Sequence, residues 1–263
     1  MNDEWTHILH TIGYDFTQYK DRTLTSRQIK DAKRTFRGTQ KSQFEPRLLC
    51  KQDTREKRPD ILQKHGIYCL SIRNGTYLLT HTDIYHTLDF QEKPEPTRIY
   101  KNTDSIVLAM GNSETSMLDN LRYSGVFESP EYLGELIRYG PLLSGRHRCS
   151  FRMLVGDANS KKKKRLEING CQFETDSCYE SDHRILVIEA KSGTNQSFNL
   201  RQMYFPYRNI YDHIQTSKST KEILPIYVQI DPQQTIHIWK YTFDNPIEMT
   251  SIRCVSYRTY RFG

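Results

Sequence analysis

Nowhere in these 263 residues is there an uninterrupted apolar run of about 18, the length a helix needs to cross a bilayer, so no membrane-spanning helix is expected. Cysteine is sparse: the six, at 50, 69, 149, 171, 178 and 254, include no CxxC pair. That spacing speaks against structural zinc, and a chain this long does not require a disulfide framework, so reduced thiols in a cytoplasmic protein are expected. The nine histidines include no HxH or HExxH spacing, which removes the usual zinc hydrolases. Thirteen glycines form neither a P-loop nor a dinucleotide fingerprint, and Ser192-Gly193 reads as a turn. No internal repeat occurs. The opening Met1-Asn2-Asp3-Glu4-Trp5 is acidic and lacks the basic-then-apolar layout of a signal peptide.

What is abundant is positive charge. Thirty-eight Lys and Arg stand against 31 Asp and Glu, a formal net charge of +7. Such a balance favours a polyanionic partner, because neutralised phosphates release condensed counterions. A mildly basic protein without such a partner is the plain alternative.

The most informative segment joins Phe173-Glu174-Thr175-Asp176 to Ile185-Leu186-Val187-Ile188-Glu189-Ala190-Lys191. Ser181-Asp182-His183-Arg184 between them is turn-forming. A hairpin centred on Asp182-His183 places Asp176 opposite Glu189 and Glu174 opposite Lys191. Side chains alternate along a strand, so Glu189 and Lys191 share a face and Ala190 takes the other. Paired residues lie about 5 Å apart at Cβ on one face, which would bring three carboxylates and an ammonium together. Charges that end a run apolar at every position, and so buried on both faces, are costly unless paired or functional. A divalent cation is the simplest account. Mg²⁺ prefers hard oxygen ligands and is usually held by one or two carboxylates with substrate phosphates. A lysine beside it can position or deprotonate water, or neutralise charge on phosphorus.

Asp176 followed by a short hairpin and Glu189-Ala190-Lys191 resembles the PD-(D/E)XK nuclease signature. The longer string 172–180, with 187–191 and 199–208, is similar to a group of type II restriction endonucleases; no Pro precedes Asp176, a departure that family tolerates. The resemblance implies Asp176, Glu189 and the carbonyl of Ala190 as Mg²⁺ ligands, and Asp176, Glu189, Lys191 and Gln202 as catalytic residues. It further implies hydrolysis of both strands of duplex DNA at a specific sequence with 5′-phosphate ends, and functional pairing with a cognate DNA methyltransferase. A homodimer would match a palindromic site by symmetry. Glu174 either completes the metal shell or pairs with Lys191, and Glu114 either reaches the site or favours a helix N-terminus. Arg201 and Gln202 either contact phosphate or water, or form a polar helix face.

The expected fold class is mixed α/β (α+β): a restriction-endonuclease-like core, with a central mixed sheet flanked by helices, over residues 106–263. Residues 1–105 form an N-terminal α+β, winged-helix-like DNA-recognition region. In that region Thr25 and Gln28 offer a capping box, a basic stretch runs from Arg47 to Arg58, and Asn74-Gly75 joins two β-prone runs. Residues 90–104 read as a linker. The core pattern predicts a helix from Ser113 through Arg122, a short helix over 132–139, and strands at 148–155, 166–176 and 184–191. The helix that follows carries apolar residues at 200, 203, 207, 210 and 214 and contains Pro206, which should kink it. Strands at 223–230 and 235–241 close the pattern. The Lys161–Lys164 run either grips phosphate or is a solvated loop. Two rival functions are a nicking, repair or structure-specific nuclease of the same superfamily and a non-catalytic DNA-binding protein.

Overall fold

The computed structural model describes residues 2–38, 44–90, 94–100, 104–106, 108, 113–143, 145–156 and 163–263. Lys161 and Lys162 of the basic run, and part of the linker over 90–104, lie outside these. The fold is mixed α/β, and among the described residues it has few helices and two large mixed sheets. Among the described residues no helix is long and apolar enough to cross a membrane.

The N-terminal part comprises α1 (Asn2–Thr11), β1 (Arg22–Thr25), α2 (Ser26–Thr35), α3 (Pro46–Leu49), α4 (Asp60–Lys64) and the hairpin β2 (Tyr68–Arg73) and β3 (Thr76–Thr80). Thr25 and Gln28 close the capping box of α2 reciprocally. The hairpin turns at Asn74-Gly75, where Gly75 takes φ +69°, a left-handed value that glycine adopts without a Cβ penalty.

These strands do not form a sheet of their own. β2 lies parallel to β7 (Lys164–Thr175), which pairs antiparallel with β6 (Gly145–Val155), giving the order β1-β3-β2-β7-β6. β4 (Tyr85–Thr87) makes a short ladder with β10 (Ser197–Asn199). The second large sheet runs β5-β13-β12-β11-β9-β8, from β5 (Thr97–Ile99), β13 (Ile252–Phe262), β12 (Ile236–Phe243), β11 (Glu222–Ile230), β9 (Arg184–Ser192) and β8 (Ser177–Glu180).

β9 is buried on both faces. Leu186, Ile188 and Ala190 pack with Met117, Leu118 and Leu121 of α5 (Glu114–Tyr123). Ile185 and Val187 pack with Ile210 and Ile214 of α6 (Leu200–Ser217). The stripe at 200, 203, 207, 210 and 214 is buried throughout, and the helix continues through Pro206 without a break. Pro206 has no N–H for the carbonyl of Gln202 four residues earlier, so the turn carrying Gln202 lacks one helical bond.

Three expectations are corrected. No helix forms over 132–139: Gly134 takes φ +68°, the segment turns, and Tyr139 bridges to Glu180. An eleven-residue strand, β13, follows the two strands expected at the end. The strand expected over 166–176 is two strands in different sheets: β7 ends at Thr175, β8 starts at Ser177, and Asp176 is the residue between them.

Candidate active site

That change of sheet sets the geometry. Beyond Asp176 the hairpin has the register read from the sequence, with Ser177 across from Ile188 and the Asp176 N–H donating to the Ile188 carbonyl at 3.2 Å. Asp176 therefore lies across from Glu189, and its Oδ2 accepts the Ala190 N–H at 2.6 Å. Before Asp176 the strand has left β9. Glu174 is across from Arg146 on β6, not from Lys191. Its carboxylate meets Arg146 at 2.9 Å and Arg47 at 3.3 Å, so three carboxylates do not converge on Lys191.

Glu189 ends the buried run of β9 and is itself 6% exposed. Its Oε1 accepts from Lys191 Nζ at 2.5 Å and from Gln202 Nε2, on the first turn of α6, at 2.6 Å. Lys191 Nζ also donates to the Ala190 carbonyl at 2.9 Å and stands 3.6 Å from Asp176 Oδ2. The structure thus brings Asp176, Glu189, Ala190, Lys191 and Gln202 together.

Burial pushes the Glu189 carboxyl up to about 8; the Lys191 charge pulls against this, and the Asp176 and Asp53 charges add to it. Burial also works against the Lys191 ammonium, but the carboxylates of Glu189 and Asp176 outweigh it and leave its pKa raised. Lys191 is therefore a firm cation, and Glu189 is a carboxyl that ionises with difficulty.

Could these groups hold a metal ion? Among the described residues no three Asp, Glu, His or Cys side chains form a metal-binding cluster. The oxygens available are Asp176 Oδ2, Glu189 Oε1 and the Ala190 carbonyl, and all three face the Lys191 ammonium. They are hard donors of the kind Mg²⁺ takes. Nearby, Gln202 Oε1 is buried with no hydrogen-bond partner among the described residues, an acceptor open to a further donor or cation. The donor set fits a hard divalent cation.

The site opens into a cavity of about 320 Å³ whose far wall comes from the N-terminal part, including Lys30, Lys51, Asn74 and Tyr77. Asp53 also lines it, and nothing local in the sequence relates it to a strand roughly 130 residues away. The Asp53 carbonyl accepts the Asn199 N–H at 2.8 Å, at the N-cap of α6. Glu114 lies in the first turn of α5, and its carboxylate accepts the Ser192 N–H at 2.8 Å, capping the end of β9. Arg201 lines the cavity, donates to the Gln172 carbonyl, and lies over the Phe205 ring at 5.3 Å.

Comparison with curated proteins and with solved structures gives no match. A family model described as a domain of unknown function (DUF6996) matches residues 2–79. A second, described as a domain of unknown function (DUF6997), matches residues 80–261, and with more than half of its length so covered the chain belongs to that family.

Proposed function

We propose that this protein is a Mg²⁺-dependent type II restriction endonuclease of the PD-(D/E)XK superfamily, hydrolysing both strands of duplex DNA at a specific sequence. One observation carries the reading: two carboxylates, Asp176 at the β7–β8 junction and Glu189 on β9, meet a lysine and a backbone carbonyl at one point, at the end of a doubly buried strand. A surface ion-pair ladder would not bury Glu189.

Asp176, Glu189 and the Ala190 carbonyl would hold Mg²⁺. When bound, the ion supplies positive charge against the phosphodiester oxygens. Lys191, its pKa raised, stays an ammonium that orients the attacking water and neutralises developing charge rather than taking a proton. Gln202 fixes the Glu189 carboxylate through its Nε2. In-line attack by water then leaves a 3′ hydroxyl and a 5′ phosphate. The helices and hairpin of residues 1–105 follow a winged-helix-like order and serve DNA recognition against a restriction-endonuclease-like core. A homodimer would place one site on each strand. A cognate methyltransferase is the expected functional partner.

A second reading is a nicking or structure-specific enzyme with the same residues. Supercoiled plasmid incubated with Mg²⁺ separates the two: discrete fragments with constant end sequences support the first, open circles the second. Asp176→Ala and Lys191→Ala should each keep DNA binding and lower cutting by at least about a hundredfold. Near-normal cleavage by both variants would overturn the assignment.

A further inference from the structure

The β6–β7 hairpin has two unlike faces. Along β6, Cys149, Phe151, Met153 and Val155 are buried, while Arg146, Arg148, Ser150 and Arg152 are exposed. Across from them on β7 stand Glu174, Gln172 and Glu167, with Arg165 two pairs further on, opposite Leu154. Among the described residues no ion pair joins Arg148 or Arg152 to a carboxylate, although Glu167 lies opposite Arg152. Same-face residues recur about every 7 Å along a strand, so Arg146 to Arg152 covers about 20 Å, comparable to the rise of about six phosphates of one DNA strand.

This face leads into the candidate active site. Gln172 and Glu174 share it with the arginines and also line the cavity that holds Asp176, Glu189 and Lys191. At the mouth, Arg47 from the N-terminal part and Arg146 from β6 both reach the Glu174 carboxylate, and all three side chains are about half exposed. Exposed ion pairs contribute only about 0–1 kcal/mol, so an incoming anion can exchange for Glu174 at small cost. Two guanidiniums left facing one phosphate match its geometry well.

We infer that the outer face of the β6–β7 hairpin is a track for the phosphate backbone of DNA. Arg148 and Arg152 grip the strand, and Arg146 with Arg47 forms a phosphate clamp at the active-site mouth that Glu174 fills when DNA is absent. The inference rests on the nuclease reading for its choice of ligand, but the track is measurable without catalysis.

The test is fluorescence anisotropy of a labelled short duplex with the full chain in EDTA, across a series of salt concentrations. Each lost phosphate contact flattens the slope of log affinity against log salt by about 0.9, so Arg148→Ala/Arg152→Ala should flatten it by about 1.8. Arg253→Ala, which removes an exposed partner of Asp244, should leave the slope unchanged. Glu174→Gln should bind the duplex more tightly than the natural chain. An unaltered slope in the double variant, no gain with Glu174→Gln, or no duplex binding by the natural chain at low salt overturns the track. Failure of the nuclease reading looks different: the slope changes as expected, but Mg²⁺ produces no cleavage.

Discussion

Glu189 has its charge opposed by burial and by two other carboxylates, Asp176 and Asp53. Its carboxyl is raised from an ordinary 4.5 to about 8, so the native protein keeps a proton that the unfolded chain releases at lower pH. The stability this gives is complete below about 4.5 and is lost as pH rises through about 8. Lys191, also raised, loses its share only at more alkaline pH. Without metal, the melting temperature should therefore fall from about pH 5 to about pH 9, and Glu189→Gln, which mimics the protonated acid, should flatten that fall. A cation that needs the ionised carboxylate should raise the melting temperature more at the alkaline end. Scanning fluorimetry of both proteins across this range, with and without Mg²⁺, decides the matter. A natural chain and a variant with the same pH slope would show that Glu189 is not the group responsible.

At the scale of the element, α6 aims Gln202 at Glu189, and Asn199 fixes where α6 begins. The Asn199 side-chain oxygen accepts the Arg201 N–H at 3.1 Å, and its amide donates to the Gln52 carbonyl at 3.2 Å. Asn199→Ala removes the cap, a loss of about 1 kcal/mol. The Gln52 carbonyl still holds the Tyr85 hydroxyl at 2.8 Å, which limits the further cost. The urea midpoint should fall by an amount equivalent to about 1–2 kcal/mol. Cleavage measured well below the unfolding transition should fall as well, because the first turn of α6 loosens. Full activity at reduced stability would place Gln202 outside the chemistry. Elements of this kind are legible in sequence because their periods are local: the stripe from Leu200 to Ile214 and the register of Asp176 with Glu189 need only neighbouring residues. The place of Glu174 is not legible, for the opposite reason. The alternation over 164–175 suits either β6 or β9 as partner, and the choice is made by a segment some twenty residues upstream. β13 is harder to read because its alternation of partly buried and exposed residues holds only over 252–256 and then loses step. Asp53 carried no local signal at all.

At the scale of the whole molecule, the two stretches matched by separate family models meet between residues 79 and 80, yet the structure does not divide there. β2 of the first stretch lies beside β7 of the second in one sheet, and Leu70 is buried in the same core as Cys171, Phe198 and Tyr204. The Arg55 N–H donates to Ser197 Oγ at 2.8 Å, and that hydroxyl donates to Glu56 at 2.9 Å. With the Asp53 carbonyl on the Asn199 N–H, these bonds fasten the N-terminal part to β10 and the start of α6. A fragment of residues 80–263 would expose the edge of β7 and the apolar core surface that Leu70 covers, give up these hydrogen bonds, and lose the far wall of the cavity. That fragment should be insoluble, or soluble without a cooperative melting transition, and should not cut DNA. Co-expression with residues 1–79 should recover a soluble complex by restoring the β2–β7 pairing, read out by gel filtration and by plasmid cleavage with Mg²⁺. A fragment that melts sharply alone and cuts as the full chain does would make the N-terminal part a detachable recognition module. If instead only the complex cuts, the active site is one that both stretches build, with Asp176 at the end of a strand, β7, that pairs with β2.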